Sequence, residues 1–288
     1  MKSQVADAIE RHRRAGREFQ AGGIGSFVRE QGEGDPVVLM HGVPVSSFLY
    51  RKVLPLLAAR GLRGAAFDLP GMGLAEKPES FDYNWSGLGR WTGEAIDALG
   101  IDQCHLVVHD IGGPIALEWA LRNQERVISL TVLDTLIDVA HFRRVWTMDL
   151  AAPPLIGPLW VASVRPPVAR WLFYLQGIAN RSETPAPEVD AHFALLHRDG
   201  GGRTFRRIVR GFELTEEKER FYTEGLSDVG WPATILWADR DPALGDDRRR
   251  AIEDALGVEA KVISAKHFLQ EDQAPAVAEA IARLAGST

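Results

Sequence analysis

Short continuous runs of apolar residues recur along this chain, and segments with helical spacing separate them. The runs predict buried strands at 37–40, 64–68, 105–108, 130–133, 233–237 and 261–263. Strands without polar alternation suit a sheet that is covered on both faces, as in parallel α/β architectures. The pattern therefore predicts an α/β fold with a mostly parallel central sheet and helices on both faces.

The intervals between the strands carry the spacing of amphipathic helices. This spacing predicts helices at 49–60, 85–99, 114–123 and 276–284. Residues 1–20 predict a charged amphipathic helix on the surface. They contain no apolar stretch like that of a signal peptide, and no run in the chain approaches the length of a transmembrane helix. We therefore expect a cytoplasmic protein without a membrane partner.

One long stretch breaks the alternation of strands and helices. Residues 136–226 contain no convincing buried strand, and several prolines and tryptophans lie there among helical patterns. Within the stretch, 180–188 predicts a loop and 198–203 a glycine-rich turn. We predict a first core part at 1–135, a helical insertion at 136–226 and a second core part at 227–288. Such an insertion can cover the carboxyl edge of the sheet, where ligands bind in open α/β folds.

Composition narrows the classes of function. The 288 residues are 45% hydrophobic, which supplies a sizeable core for one large α/β domain. The formal net charge of -6 disfavours a nucleic-acid partner. Cys104 is the only cysteine, so no intramolecular disulfide can form, and its place in an apolar strand indicates a small core residue.

The most informative segment is VVHDIGGP at 107–114, where an apolar strand runs into small residues and then a helix. Asp110 lies at the turn, where a G-x-S-x-G nucleophile elbow carries serine. A carboxylate at that place can displace a leaving group from saturated carbon and form an ester. The alternative is an ordinary aspartate at a helix N-terminus, which the helix dipole favours.

His267 is the candidate base, because it lies after the last strand and before the last helix and can face Asp110. Two acids could orient its ring. Asp241 follows the strand at 233–237, and Asp134 follows the strand at 130–133. One acid suffices to fix the imidazole tautomer and to stabilise the imidazolium. We favour Asp241 and keep Asp134 as the alternative.

Backbone N–H groups are the candidate oxyanion donors. The expected donors are those of Val43, in the loop after the first buried strand, and Ile111, directly after Asp110. His41 is expected to hold that loop through hydrogen bonds, and His109 to be structural and to point away from the nucleophile. The remaining histidines have no metal-ligand spacing, and the chain lacks a P-loop or a full dinucleotide fingerprint. We therefore predict no metal and no cofactor.

Together these segments resemble the α/β-hydrolase superfamily, and within it the haloalkane dehalogenases and epoxide hydrolases that use an aspartate nucleophile. The resemblance is carried by HGVPVSSFLYRKVLP, DLPGMGLAEKP, VVHDIGG and HFLQEDQAP, in the chain order of nucleophile, acid and histidine. It implies that Asp110 forms an alkyl ester that His267-activated water opens. It also implies a helical cap at the insertion, and a small apolar halide or epoxide and water as the partners.

Two positions depart from the dehalogenase pattern. Ile111 stands where such enzymes commonly carry tryptophan, and Val43 stands where many carry asparagine, so neither side chain can donate a hydrogen bond to a halide. A cap tryptophan could compensate, whereas an epoxide hydrolase would use cap tyrosines. The candidate cap contacts are Trp146, Trp160, Trp171, Tyr174 and Tyr222. The hypotheses are haloalkane hydrolysis, epoxide hydrolysis and non-catalytic ligand binding on the same scaffold.

Overall fold

The structure, a computed structural model, describes residues 1–287. Its centre is an eight-stranded sheet in the order β1-β2-β4-β3-β5-β6-β7-β8. The strands are β1 (Arg17–Ala21), β2 (Ile24–Gln31), β3 (Pro36–Met40), β4 (Arg63–Phe67), β5 (Cys104–Asp110), β6 (Val127–Thr135), β7 (Ala233–Ala238) and β8 (Lys261–Ile263). β2 pairs antiparallel with β1 and β4, and all other neighbouring strands are parallel.

Helices precede, separate and follow these strands. In the core they are α1 (Lys2–Arg14), α2 (Val53–Ala58), α3 (Trp85–Ala98), α4 (Gly112–Ala120), α11 (Asp246–Leu256), α12 (Leu269–Asp272) and α13 (Ala274–Ala285). Those between β6 and β7 are α5 (Trp146–Ala151), α6 (Ile156–Ser163), α7 (Val168–Gln176), α8 (Ala186–His197), α9 (Gly201–Arg210) and α10 (Glu216–Asp228). Short 3-10 helices cover Ser47–Arg51, Gln124–Arg126 and Arg198–Gly200.

The predicted mostly parallel sheet is confirmed, and β3 to β8 lie at the six predicted strands, although β8 is an edge strand whose first two residues are exposed and not buried as expected. Every residue of β5 is buried, since this strand lies between β3 and β6 and helices cover both faces of the sheet. The pairs α2/α13 and α3/α4 pack together over the strands. Burial raises the pKa of the Cys104 thiol to about 12, which fits a core residue and not a reactive thiol.

The first hairpin differs from the prediction of one helix over residues 1–20. The helix ends at Arg14, and Arg17–Ala21 forms an edge strand paired with β2. Gly16 explains the break, because a Cβ there would lie 2.4 Å from both the Phe27 ring and a backbone oxygen. Gly22 and Gly23 then both adopt positive φ, as a tight two-residue hairpin turn requires.

Two predicted irregular segments are partly helical. The expected loop at 180–188 ends early because α8 begins at Ala186, with Pro187 in its first turn, where proline is tolerated. The expected turn at 198–203 is confined to its first three residues, where Asp199 and Gly200 have positive φ before α9 starts. None of the helices within residues 1–287 is long and apolar enough to cross a membrane.

Candidate active site

The turn between β5 and α4 presents Asp110 at the carboxyl edge of the sheet. Asp110 has a φ of 53°, which is uncommon for a residue with a side chain and is a strained conformation typical of functional turns. Glycines make the turn possible. A Cβ on Gly112 would lie 2.7 Å from the His41 carbonyl oxygen, and one on Gly113 would lie 2.0 Å from the Thr135 hydroxyl.

Two backbone N–H groups face the Asp110 carboxylate. The Val43 N–H donates to Oδ1 at 3.1 Å, and interaction with the Ile111 N–H helps to lower the pKa of this carboxylate. Gly42 makes the approach possible, because a Cβ there would lie 2.1 Å from Oδ1. The two expected oxyanion donors, the N–H groups of Val43 and Ile111, therefore both lie close to the Asp110 carboxylate.

His267 bridges two carboxylates. Its Nε2 lies 3.2 Å from Asp110 Oδ2, and its Nδ1 lies 2.7 Å from Asp241 Oδ2. The other oxygen of Asp241 accepts hydrogen bonds from the N–H groups of Ala243 and Leu244, at 2.7 and 3.1 Å. These two bonds fix the carboxylate, which in turn fixes the orientation of the imidazole ring.

Asp134 is close to this group but has a different partner. Its Oδ1 accepts the N–H of Ala238 at 2.9 Å, and no hydrogen bond joins it to the His267 ring. Potential metal-ligand atoms of Asp134, Asp241 and His267 lie within 4.8 Å of one another, so these three residues are the ones that could together bind a cation. Burial and then the charge of Asp241 raise the pKa of Asp134 well above its ordinary value, which favours the neutral acid.

The charges of the other three groups support each other. Burial favours their neutral forms, but it is outweighed in each case. The pKa of Asp110 is lowered by its hydrogen bond to His267 and by the charge of that ring. The charge of His267 and the hydrogen bond to it likewise lower the pKa of Asp241. Both carboxylates raise the pKa of His267 well above its ordinary value. These directions favour an imidazolium between two carboxylates at neutral pH.

His41 and His109 hold backbone in place beside the site. His41 donates through Nδ1 to the Gly42 carbonyl at 2.8 Å and accepts the Leu69 N–H through Nε2 at 3.0 Å, which fixes the loop as expected. His109 bonds the Leu133 carbonyl through Nδ1, and burial followed by the charge of His267 lowers its pKa to about 3. Contrary to our expectation, its ring does not point away from the site. It lies 4.8 Å from the His267 ring, where the β5–β6 register is irregular.

A cavity of about 120 Å³ opens above Asp110 and His267. The helices between β6 and β7 supply most of its walls, and the side chains there are mainly apolar. They include Val161, Leu172, Phe173, Phe193, Leu196 and Phe205. A site of this kind suits a small apolar molecule whose reacting carbon can reach the Asp110 carboxylate.

The three candidate tryptophans are placed differently. Trp160 lines the cavity, but its Nε1–H donates to the Thr147 carbonyl at 2.9 Å. Trp146 and Trp171 are outside the cavity wall and are 49% and 56% exposed. None of these three tryptophans therefore brings a free indole N–H to Asp110, because one is already bonded and two are largely exposed.

Neither candidate tyrosine lines the cavity. Tyr174 donates its hydroxyl to the Thr184 carbonyl at 2.9 Å. Tyr222 is fully buried between α10 and α4, where its hydroxyl donates to Glu118 Oε1 at 2.7 Å. Both hydroxyls already have acceptors at a distance from the site, which corrects the expectation that they contact substrate.

Sequence reasoning missed the contacts that join the His267 loop to the insertion. Phe268 stacks on Phe173 of α7 with ring centroids 4.5 Å apart, and its N–H donates to the Gly177 carbonyl at 2.9 Å. Nearby, the buried carboxylate of Glu271 accepts from His192 of α8 and from Arg51 of the core. The acidic pair in HFLQEDQAP was the available signal, since a buried carboxylate needs a charged or hydrogen-bonding partner.

Comparisons with known proteins agree with this fold. A family model described as the alpha/beta hydrolase fold matches residues 35–274. A haloalkane dehalogenase from Mycobacterium marinum is 30% identical over 258 residues, which cover 86% of this chain and 84% of that protein.

Solved structures give the same fold. The ligand-free epoxide hydrolase CorEH has a TM-score of 0.80 at 22% identity and covers 94% of this chain and 98% of its own. A meta-cleavage product hydrolase from Pseudomonas fluorescens has a TM-score of 0.77 at 18% identity, with 95% and 98% covered. At these identities the likeness concerns the fold alone, and folds of this kind serve several reactions. The family match and the dehalogenase relative go further: this chain belongs to the α/β-hydrolase family and is a hydrolytic enzyme related to the haloalkane dehalogenases.

Proposed function

We propose that this enzyme hydrolyses haloalkanes to alcohols, with Asp110 as the nucleophile. The observation that carries the proposal is that the two oxygens of Asp110 have different neighbours. Oδ1 accepts the Val43 N–H, while Oδ2 faces His267 below an apolar cavity. A carboxylate held in this way has one oxygen fixed by a backbone donor and one oxygen that lies against the candidate base and faces the cavity, from which it can attack.

In the first step, Oδ2 of Asp110 attacks the carbon that bears the halogen. The new carbon–oxygen bond forms as the carbon–halogen bond breaks, and the halide leaves with the electron pair. The product is an alkyl ester whose carbonyl oxygen is Oδ1. Because the carboxylate is ionised and desolvated in the buried site, it is a stronger nucleophile than an aspartate in water.

In the second step, water attacks the ester carbon and His267 Nε2 takes its proton. Alkylation removes the negative charge of Asp110, which in the free enzyme helps to raise the pKa of His267. The imidazolium is then easier to deprotonate, so it loses its Nε2 proton to solvent water and the neutral ring becomes available as a base. Asp241 stabilises the imidazolium that forms when His267 takes the proton of the attacking water, and the N–H groups of Val43 and Ile111 stabilise the oxyanion. Collapse of the intermediate breaks the bond between the ester carbon and the alkoxy oxygen, which takes the proton from His267, so that the alcohol leaves and the Asp110 carboxylate is restored.

The tyrosines favour haloalkanes over epoxides. Opening an epoxide produces an alkoxide that needs a proton, and a tyrosine hydroxyl is a suitable acid. All four tyrosine hydroxyls of the chain donate elsewhere: Tyr50 to Met40, Tyr83 to Pro78, Tyr174 to Thr184 and Tyr222 to Glu118. A halide leaves as a stable anion and needs no proton, so the same site can serve haloalkane substrates.

A trapped ester tests the mechanism. We expect His267→Phe to react once with bromoalkanes and to accumulate an alkyl group on Asp110, seen by intact-protein and peptide mass spectrometry. The matched control is the double variant that also carries Asp110→Ala, which should gain no mass.

Four outcomes separate the hypotheses. Halide release from bromoalkanes, together with an adduct on Asp110, supports haloalkane hydrolysis. If styrene oxide is the only substrate that gives an adduct and is converted to a diol, the enzyme is an epoxide hydrolase. Full turnover by Asp110→Ala would remove Asp110 from the mechanism. Tight binding that Asp110→Asn leaves unchanged, without turnover of any substrate, would support a ligand-binding protein.

A further inference from the structure

We propose that the side-chain amide of Gln176, at the end of α7, is the hydrogen-bond donor that binds the departing halide. The inference rests on the proposed function and names the leaving-group site that Val43 and Ile111 do not supply. It is carried by three observations: the helix face on which Gln176 lies, the absence of a protein partner for its amide, and its position beside the His267 loop.

Helix α7 has two opposite faces of different character. Leu172, Phe173 and Gln176 all line the cavity, and their spacing of three and four residues places them on one side of the helix. Trp171 and Leu175 lie on the other side and are exposed. The cavity side is apolar until its last position, where an amide occurs.

The Gln176 amide has no hydrogen bond to any other group within residues 1–287. The neighbouring polar groups of the cavity wall are in a different state. Trp160 donates its N–H to Thr147, and His197 uses Nε2 with the Val164 carbonyl at 3.1 Å. Gln176 is half-buried in a mainly apolar wall, so its amide is available to a bound molecule that accepts from it. Gln176 therefore offers two N–H donors to a bound molecule.

The end of α7 is attached directly to the loop that carries His267. Gly177, the next residue, accepts the Phe268 N–H at 2.9 Å. A Cβ on Gly177 would lie 2.3 Å from the Phe268 ring, so the helix end and the loop approach as closely as glycine allows. Because Phe268 follows His267, this contact holds the backbone at the end of α7 at a fixed place relative to the candidate base. The backbone that carries the Gln176 amide is therefore already in position when an anion binds.

The chemistry of an amide fits a halide in particular. An amide N–H donates a hydrogen bond but does not release its proton at neutral pH. A halide leaves with the bonding electron pair and needs stabilisation only, whereas an alkoxide must also be protonated. The donor therefore suits the breaking of a carbon–halogen bond, in which Asp110 Oδ2 gains the carbon and the halide accepts the Gln176 N–H as its charge develops.

The test is Gln176→Met, which keeps the length of the side chain and removes both N–H donors. We expect the burst of halide release from bromoalkanes and chloroalkanes to slow by about 10- to 100-fold, the size of one hydrogen bond to a charged group. The loss should be larger for chloride, which is the stronger hydrogen-bond acceptor and the poorer leaving group. Decay of the ester, measured after the burst, should not change, because the halide has already left the carbon.

Halide binding gives a readout that does not depend on turnover. Titration with bromide, followed by calorimetry, should show binding to the parent protein that weakens at least tenfold in Gln176→Met. Tyr174→Phe is the matched control, because it removes a donor from the same helix that does not line the cavity. It should leave both the burst and bromide binding as they are in the parent.

The failures can be told apart. If His267→Phe accumulates no ester on Asp110, the proposed function is wrong whatever Gln176 does. If the ester forms and Gln176→Met forms it at the parent rate, the mechanism stands and the assignment of Gln176 is overturned. A slower burst in Thr147→Val with no change in Gln176→Met would likewise overturn it, since Thr147 is a polar neighbour in the cavity wall.

Discussion

The sheet core and the helical insertion bury their apolar side chains to different extents. In the core, β5 is buried along its whole length and the strands on either side of it are almost as enclosed. Apart from Met1 and Val262, every exposed large apolar side chain within residues 1–287 lies between 146 and 175. Leu155 and Leu159 are 85% and 75% exposed there. Packing thus constrains the core much more tightly than this part of the insertion.

The two regions also divide the proposed chemistry. The core supplies Asp110, His267 and Asp241, whose polar atoms lie 3.2 and 2.7 Å apart across the His267 ring. The insertion supplies the cavity wall and, in Gln176, an amide without a hydrogen-bond partner among residues 1–287. A fully bonded arrangement suits groups that repeat one reaction, while a loosely constrained wall can vary with the shape of the substrate and its leaving group.

The largest expected effect, on the rate of ester decay, distinguishes the two candidate acids of the core, Asp241 and Asp134. Asp241→Asn should slow decay of the ester by about 10³- to 10⁴-fold, because the His267 ring loses the partner that fixes its tautomer and stabilises its charge. Asp134→Asn should have less than about a tenfold effect, since an amide resembles the neutral acid that the raised pKa of Asp134 favours. Single-turnover measurement of ester decay compares the two variants. A larger loss in Asp134→Asn would make Asp134 the acid.

The core was the more predictable region, because burial on both sides leaves a plain signal. β3 to β7 are mainly apolar runs that only a covered sheet explains, and they were found from the sequence. The edge hairpin was missed because β1 buries only Phe19 and Ala21, and its charged first residues, Arg17 and Glu18, continue the pattern of α1. An edge strand with one exposed side carries a weak alternation, and five residues are too few to separate it from a helix end.

The candidate site was predictable where it depends on chain order. Asp110 and His267 lie at the ends of recognisable elements, and the structure brings them within 3.2 Å. The cap donors were not predictable in this way, because a residue type does not tell which group its hydroxyl or indole already bonds. Tyr222 illustrates this, since its partner Glu118 is 104 positions away. The spacing of Leu172, Phe173 and Gln176 was visible in the sequence, but its meaning depended on knowing which side faces the cavity.

A carboxylate where the two regions meet should have the next largest effect, on stability. Glu271 is fully buried and accepts from Arg51 of the core and from His192 of α8. Glu271→Gln should lower the free energy of unfolding by about 3–5 kcal/mol, because the buried Arg51 charge loses its main partner. Glu188→Gln is the matched control, since Glu188 pairs with the same arginine but is partly exposed, and it should cost about 0–1 kcal/mol. Urea unfolding measures both changes.

The same carboxylate predicts how stability depends on pH. Burial opposes the charge of Glu271, but Arg51 and His192 outweigh it and lower its pKa well below the ordinary value of 4.5. Its contribution is therefore fully present above that value and is lost as the pH falls towards the lowered pKa of the folded state. Between pH 5 and pH 3, the parent should lose stability more steeply than Glu271→Gln. Parallel slopes in urea unfolding would show that Glu271 does not carry this dependence.

The smallest expected effect is that of Leu159→Ala, and it tests the contrast between the two regions when it is compared with one substitution in the core. Leu106→Ala in β5 removes a side chain that is 0% exposed, and it should lower the free energy of unfolding by about 2–5 kcal/mol. Leu159→Ala in α6 removes a side chain that is mostly exposed already, and it should change that free energy by less than about 0.5 kcal/mol. Urea unfolding at several protein concentrations distinguishes the two regions. A large loss at Leu159 that grows as the protein is concentrated would mean that another copy of the chain covers this surface, and the insertion would then be as constrained as the core.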